Sequence, residues 1–225
     1  MNTVRLNAYA KINLTLELTG TQDGYHLLDS LVTSIDLYDR IVVKRRKDTL
    51  IRVFMHGLGS ETISPEENNA QRAGEAFVKA FQTTGADITV YKNIPIGAGL
   101  GGSSADAAGV INALAKLYKI DDFAALKSLA DSLGSDTGYL LTGGFARMTG
   151  RGERVEHLGE IPSLPVLLIL PKEGVSTAEC YRLSDTVENA DRADTKKSLE
   201  LMKRGELRAF CASLKNDLYP AAKQI

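Results

Sequence analysis

Four glycines and two serines lie close together in the middle of the chain, directly before a segment with a helical pattern of apolar residues. The segment runs from Pro95 to Asp106 and reads Pro-Ile-Gly-Ala-Gly-Leu-Gly-Gly-Ser-Ser-Ala-Asp. Glycine adopts positive φ readily and lets the backbone approach a ligand closely. The first amides of a helix have no partners within the helix and carry the positive end of its dipole. This combination predicts an anion-binding site suited to a di- or triphosphate.

Two familiar phosphate-binding patterns do not account for this segment. The Walker pattern requires a lysine after the glycines, and none follows Gly102 directly. Gly97 to Gly102 does match G-x-G-x-x-G, but short glycine patterns of this kind are common, so the match decides little. Taken alone, the segment could also be a flexible glycine turn that caps the following helix.

The glycine-rich segment lies between a predicted strand and a predicted helix. Ala86 to Lys92 alternates apolar and polar side chains, as a half-buried strand does. From Ser103 to Tyr118 apolar residues recur every three or four positions, which predicts a helix with one buried face. A second helix is predicted from Phe123 to Leu133. After Gly134, glycine pairs between short apolar runs predict strands and tight turns, Tyr139–Leu141 among them.

The N-terminal third has the pattern of a sheet. Apolar and β-branched side chains predict strands within Val4–Leu18, Leu27–Val43 and Leu50–Met55. Ser64 precedes a proline and two glutamates, which predicts a helix with serine as its N-cap. This helix is expected to reach about Thr83.

The last third suggests a second lobe that begins near Pro162. Val166–Leu170 is an uninterrupted apolar run and is interpreted as a strand buried on both faces. Lys196–Phe210 is predicted to be one helix.

Composition limits the possible classes of protein. The 225 residues suffice for one large domain or two small ones, and 44% hydrophobic with 24% charged residues is typical of a folded globular chain. A net charge of -1 gives no special attraction for nucleic acid or an anionic membrane. Cys180 and Cys211 are too few for a disulfide framework and match no zinc or redox spacing. Without a signal peptide or an apolar stretch of about 20 residues, we expect a cytoplasmic protein.

The glycine-rich segment as a whole resembles the loop of the GHMP kinase superfamily, which includes galactokinase, homoserine kinase, mevalonate kinase and phosphomevalonate kinase. Further stretches resemble one family within it, the kinases of 4-diphosphocytidyl-2-C-methylerythritol, which act in non-mevalonate isoprenoid biosynthesis. These stretches are Ala10–Leu14, Asp23–Leu27, Leu133–Asp136, Gly143–Ala146 and Thr149–Glu153.

The resemblance implies an α+β fold with two lobes. Residues 1–155 would form the nucleotide-binding lobe, and residues 156–225 would form part of an α/β sandwich. The family also carries a third glycine-rich stretch, Gly-Ser-Gly-Pro-Thr, which this sequence lacks, so the second lobe is expected to be incomplete. An exposed sheet edge in such a lobe would favour pairing with a second copy, as a homodimer.

The resemblance also implies roles for individual residues. Asp136 matches the catalytic base and Lys11 the lysine beside it. ATP is expected at the glycine loop together with Mg²⁺, and either Ser103 or Ser104 offers a hydroxyl there. The ATP-binding positions are Pro95, Gly97, Gly99, Leu100, Gly101, Gly102, Ser103 and Ser104, with Asn68 near the adenine. The acceptor-binding positions are Asn13, Tyr25, His26, Lys92, Thr177 and Tyr181, of which Tyr25, His26 and Tyr181 would hold the cytosine.

Without the resemblance, these residues have ordinary interpretations. Asp136 would be a turn or helix cap, Lys11 a solvated strand residue, and Tyr25 and Tyr181 half-buried aromatics. Asn68 would be a polar residue in a first helical turn, and the neighbouring asparagine could equally be the residue near the adenine. Two other functions also stay open at this point: another small-molecule kinase of the superfamily, and a nucleotide-binding protein without turnover.

Overall fold

The computed structural model describes residues 2–64, 68–171, 174–189 and 191–225, which contain both helices and strands. The strands are β1 (Thr3–Asn13), β2 (Glu17–Gln22), β3 (Tyr25–Arg45), β4 (Ile51–Gly57), β5 (Ala86–Lys92), β6 (Phe145–Gly150) and β7 (Arg154–Gly159). The helices are α1 (Asn69–Phe81), α2 (Gly102–Tyr118), α3 (Phe123–Leu133), α4 (Ser135–Leu140), α5 (Thr177–Ser184), α6 (Thr195–Lys203), α7 (Leu207–Ser213) and α8 (Tyr219–Ala222), with a 3-10 turn at Ser60–Thr62. The predicted α+β class is confirmed.

The chain divides into two compact units that are interleaved along the sequence. The first unit contains the chain up to Lys11, Ile35–Ile96 and Leu100–Gly143. The second unit contains Ile12–Ser34, Gly97–Gly99 and Gly144–Ile225. Each predicted domain is one continuous stretch, whereas each unit consists of three segments. The units therefore do not test the predicted boundary at residue 155, which stays a prediction.

The sheet of the first unit is centred on β5. β4 runs parallel to β5, from Ile51 opposite Ala86 to Gly57 opposite Lys92. The C-terminal half of β3 runs antiparallel along the other side of β5, and β1 also pairs with β3. Every second side chain of β5 is buried, which is the alternation that the sequence predicted.

Helix α2 is the central helix of the first unit. Most of its side chains are buried, including Val110, Ile111 and Leu114. A β-carbon at Gly109 would lie 2.9 Å from the Ala8 Cβ and 3.0 Å from Ile41 Cγ1. Glycine therefore allows α2 to pack closely against the strands that lie beneath it.

Two predictions about the first unit are wrong in detail. Tyr139–Leu141 was expected to be a strand, but Tyr139 is fully buried within α4; a short apolar run fits either structure. Helix α1 begins at Asn69 rather than next to Ser64, because the Asn68 side chain accepts hydrogen bonds from the Ala70 and Gln71 amides and caps the helix there. The predicted first-turn residues 65–67 lie outside the described residues.

The second unit contains a β-hairpin followed by antiparallel strands. β2 and β3 pair with Gln22 opposite Tyr25, and the connecting residues Asp23 and Gly24 both have positive φ, 51° and 76°. An Asp-Gly pair is favoured in such a turn. The N-terminal half of β3 pairs with β6, and β6 pairs with β7.

The C-terminal helices of the second unit differ from the single helix predicted for Lys196–Phe210. The chain forms α6 and α7 instead, separated by Gly205, which has a φ of 73°. Phe210 is fully buried and packs in a cluster with Leu31, Phe145 and Leu199. The interruption lets both helices contribute to this cluster.

The predicted buried strand at Val166–Leu170 is also wrong. The segment has no regular secondary structure, and the side chains of Leu167 and Ile169 are 85% and 83% exposed. An apolar strand is buried only when neighbouring elements cover its faces, and no strand among the described residues pairs with this segment.

None of the helices in the described part of the chain combines the length and the apolar character needed to cross a membrane.

Candidate active site

The glycine loop has the backbone conformation that its sequence predicts. Gly97, Gly99 and Gly101 have φ values of 71°, 71° and 72°, in the left-handed region where other residues are strained. Gly101 is the N-cap of α2, and no described side chain forms a capping hydrogen bond at this end of the helix. The first amides of a 17-residue helix are therefore available to an anion.

The other predicted ATP-binding residues frame this loop. Pro95 is partly buried before it, and Leu100 is buried within it. On the first turn of α2, Ser103 is exposed and Ser104 is partly buried. Ser103 is thus the more exposed of the two serines predicted to contact phosphate.

The predicted catalytic lysine and aspartate form an ion pair. Lys11 Nζ lies 3.0 Å from Asp136 Oδ2. Lys11 is in β1 and is largely buried, whereas the Asp136 side chain retains 31% of its exposure. Asp136 lies in the first turn of α4, which follows Gly134 directly. A carboxylate with one oxygen near a cation and a solvent-facing surface can accept a proton from a bound hydroxyl group.

The ion pair lies next to the glycine loop. The Lys11 amide donates to the Leu100 carbonyl at 3.0 Å, and a β-carbon at Gly101 would lie 3.1 Å from Lys11 Cγ. A β-carbon at Gly134 would lie 3.9 Å from Ser104 Oγ. The structure therefore brings together the helix N-terminus, the lysine and the start of α4, from three separate parts of the sequence.

Lys92 does not lie at a surface where a substrate could contact it. Its side chain is 3% exposed, and its ammonium forms ion pairs with Asp39 and, at 2.6 Å, with Asp106. Burial opposes the charge of Lys92, but the two carboxylates outweigh this effect and raise its pKa. This burial does not support the predicted contact between Lys92 and the acceptor.

Asn68 is engaged in its own helix. Its Oδ1 accepts from the amides of Ala70 at 3.0 Å and Gln71 at 3.3 Å, and the residue is buried. The side chain therefore acts as an N-cap, and its expected position near the adenine stays a prediction.

The residues predicted to hold the cytosine lie in the second unit. His26 and Tyr181 have ring centroids 5.2 Å apart with planes tilted by 31°. His26 Nε2 also lies 2.8 Å from Asp185 Oδ1. Tyr25 is 58% exposed, and the Arg151 guanidinium lies over its ring at 4.1 Å. These are flat and polar groups of the kind that bind a nucleobase.

Two further predicted acceptor residues are also in the second unit. Asn13 Nδ2 donates to Ser30 Oγ at 2.7 Å. Thr177 is exposed and is the first residue of α5, whose N-cap is Ser176. Their roles in binding stay predictions.

Four charged residues that contact the predicted site residues were not predicted from the sequence. Asp106 had a visible signal, since it is an acidic residue within an alanine-rich, buried helical segment. Arg151 lies between Gly150 and Gly152, and the local sequence indicates no role for its side chain beyond the resemblance. Asp39 and Asp185 had no local signal, because the residues they pair with are 53 and 159 positions away in the chain.

Comparison with known proteins places this site in a superfamily. The model of the GHMP kinases N terminal domain matches residues 68–145, the part of the chain that carries the glycine loop and Asp136. Residues 68–145 therefore correspond to the N-terminal domain of a GHMP kinase.

Individual relatives give a narrower assignment. The chain is 41% identical to a 4-diphosphocytidyl-2-C-methyl-D-erythritol kinase from Desulfitobacterium hafniense, over 100% of this chain and 76% of that protein. It is 39% identical to the protein of that name from Pelotomaculum thermopropionicum, over 95% and 75%. A crystal structure of 4-(cytidine 5'-diphospho)-2C-methyl-D-erythritol kinase superposes with a TM-score of 0.75 at 34% identity, over 98% of this chain and 78% of that one.

The chain therefore belongs to the 4-diphosphocytidyl-2-C-methyl-D-erythritol kinase family, and it is a phosphotransferase. It spans about three quarters of the length of these relatives.

Proposed function

We propose that the chain transfers the γ-phosphoryl group of ATP to the 2-hydroxyl of 4-diphosphocytidyl-2-C-methyl-D-erythritol, a step in isoprenoid precursor biosynthesis. The contact of 3.0 Å between Lys11 and Asp136, next to the uncapped N-terminus of α2, carries this proposal. The names of the relatives support the choice of acceptor.

Asp136 is assigned as the base. The acceptor oxygen forms a bond to the γ-phosphorus, the bond between that phosphorus and the β,γ-bridging oxygen breaks, and ADP leaves. The proton of the acceptor hydroxyl moves to the Asp136 carboxylate. Lys11 favours the ionised form of this carboxylate beforehand, and its positive charge stabilises negative charge on the transferred group.

The phosphate chain is assigned to the glycine loop. Positive φ at the loop glycines and the free first amides of α2 support binding of the β-phosphate through the backbone. Mg²⁺ enters as part of the MgATP substrate, because phosphate oxygens and water can supply most of its ligands. No group of three or more histidine, cysteine or acidic side chains in the described part of the chain is arranged to hold a metal ion.

The cytidine end of the acceptor is assigned to the second unit. Tyr25 is exposed enough to receive a base on its ring, and His26 and Tyr181 offer a second aromatic surface. Stacking on an aromatic side chain contributes about 1–3 kcal/mol per base.

Release of ADP by the purified chain tests the proposal directly. MgATP is supplied with 4-diphosphocytidyl-2-C-methyl-D-erythritol and, in separate reactions, with homoserine, mevalonate or galactose. We expect ADP release that depends on the cytidyl acceptor. Turnover with one of the other acceptors would identify a different small-molecule kinase. Binding of ATP without turnover on any acceptor would identify a non-catalytic nucleotide-binding protein.

A further inference from the structure

Three charged side chains form a buried cluster beneath the glycine loop. Asp39 lies on β3, Lys92 is the last residue of β5, and Asp106 lies on α2. Their side chains are 0%, 3% and 4% exposed. We call these residues the acid–lysine cluster.

The acid–lysine cluster holds both ends of the glycine loop. Asp39 Oδ1 accepts from the amides of Asn93 at 2.5 Å and Ile94 at 2.8 Å, which follow β5 directly. Asp106 lies just beyond the loop, in the second turn of α2, and Lys92 connects the two carboxylates. A β-carbon at Gly102, the first residue of α2, would lie 3.6 Å from Lys92 Nζ.

The cluster contains one more acidic group than basic groups. With both carboxylates ionised, it would carry a net negative charge in the interior, which is unfavourable. Asp106 Oδ1 is buried and has no hydrogen-bond partner among the described residues. A proton held by the Asp39 and Asp106 carboxyl groups would neutralise the cluster and relieve the repulsion between them.

The charged groups that act on Asp106 come from two elements. Burial raises its pKa to about 7; Lys92 on β5 opposes this shift and Asp39 on β3 adds to it. Beside the loop, Lys11 of β1 and Asp136 of α4 neutralise each other as an ion pair. Burial and Asp39 therefore favour the protonated form of Asp106, and Lys92 favours its ionised form.

We propose that the acid–lysine cluster takes up a proton from solvent when a phosphate chain binds at the glycine loop. The negative phosphates lie at the N-terminus of the helix that carries Asp106, so they disfavour a second carboxylate charge in the cluster. The proposal rests on the assignment of the loop as the phosphate site under the proposed function, and it does not depend on the identity of the acceptor. Phosphate binding and protonation then strengthen each other.

Calorimetric titration of MgATP into the full chain tests this coupling. At pH 7.5, titrations in buffers with different heats of ionisation count the protons exchanged on binding. We expect uptake of roughly half a proton per ATP, and ATP affinity about tenfold lower at pH 8.5 than at pH 6.5. Asp106→Asn removes the titrating group, so the proton uptake and the pH dependence should both disappear.

Asp39→Asn serves as a second variant, because it also removes the excess acidic group while an amide oxygen can still accept from the loop amides. We expect it to abolish the uptake as well.

If ATP binds to the wild type with no proton uptake, or with the same uptake in both variants, the coupling is wrong while the kinase assignment stands. If ATP does not bind, the loop is not the phosphate site and both proposals fall. Coupled uptake without ADP release from the cytidyl acceptor supports this inference and contradicts the proposed acceptor.

Discussion

In the first unit Lys92 and Asp106 are buried in an ion pair next to the glycine loop, whereas Tyr25, one of the residues assigned to the cytosine in the second unit, is open to solvent. Lys92 and Asp106 are almost fully buried, while Tyr25 and the Asp185 side chain are 58% and 59% exposed. Buried charges require fixed partners, so the geometry around the proposed phosphate site is set before a ligand binds. An exposed aromatic gains most of its contacts only when a base covers it. Changes in the first unit should therefore affect phosphate chemistry, and changes in the second unit should affect acceptor affinity.

The largest effect is expected from Asp136→Asn. An amide cannot accept the hydroxyl proton, so kcat should fall by about 10²- to 10⁴-fold, while ATP affinity changes little because the loop is intact. Initial rates of ADP release and a separate ATP titration measure the two quantities. Asp121→Asn removes an exposed carboxylate of the same unit and should retain full activity. Equal rates in the wild type and Asp136→Asn would remove Asp136 from the chemistry.

Tyr25→Ala should raise KM for the cytidyl acceptor by about 5- to 150-fold through the loss of one stacking face, with kcat nearly unchanged. Steady-state kinetics at saturating ATP measure this change. Tyr219→Ala is the matched control, since Tyr219 is another exposed tyrosine of the second unit with a cation near its ring. An equal change in both variants would show that Tyr25 has no special part in binding.

Gly101→Ala should weaken ATP binding by about tenfold. The left-handed φ costs about 1–2 kcal/mol in a residue other than glycine, and the new methyl group would crowd Lys11. ATP titration and thermal unfolding separate the two effects. Gly205→Ala introduces the same backbone strain with no atom within 4 Å, so it should lower stability and leave ATP affinity intact. An unchanged ATP affinity in Gly101→Ala would argue against contact between the loop and the phosphates.

The smallest effect is expected from Ile169→Ser. Because this side chain is 83% exposed, the free energy of unfolding should change by less than about 0.5 kcal/mol. Ile41→Ser places the same change at a fully buried position of the first unit. It should lower the free energy of unfolding by at least about 2 kcal/mol. Denaturant unfolding compares the two. A large loss in Ile169→Ser would contradict the exposed conformation of the segment.

Local sequence signals predicted the elements that carry the proposed phosphate site. Apolar and polar residues alternate in Ala86–Lys92, and this alternation predicted β5 with its observed ends. The helical period of apolar residues after Ser103 predicted α2 to within one residue. The resemblance predicted Lys11 and Asp136 as catalytic residues, and the structure places Lys11 Nζ 3.0 Å from Asp136 Oδ2. No local pattern could give the partner of Lys92, because Asp39 is 53 residues away.

Predictions failed where the surroundings of a segment decide its structure. Val166–Leu170 has the composition of a buried strand, but composition does not supply the neighbours that bury it. Gly205 divides α6 from α7 through its own backbone angle, whereas the period of apolar residues continues across it. Asn68 illustrates a competing role, since the same side chain that could reach a ligand instead caps its helix.

The interleaving of the two units limits how this protein can be divided. The chain passes from one unit to the other after Lys11, Ser34, Ile96, Gly99 and Gly143. A single cut anywhere in the gene therefore cannot release both units as whole fragments. The glycine loop itself contains two of these passages. A fragment that ends at Gly143 would keep the first unit whole, together with two short segments of the second unit, whereas no continuous fragment holds the second unit without most of the first.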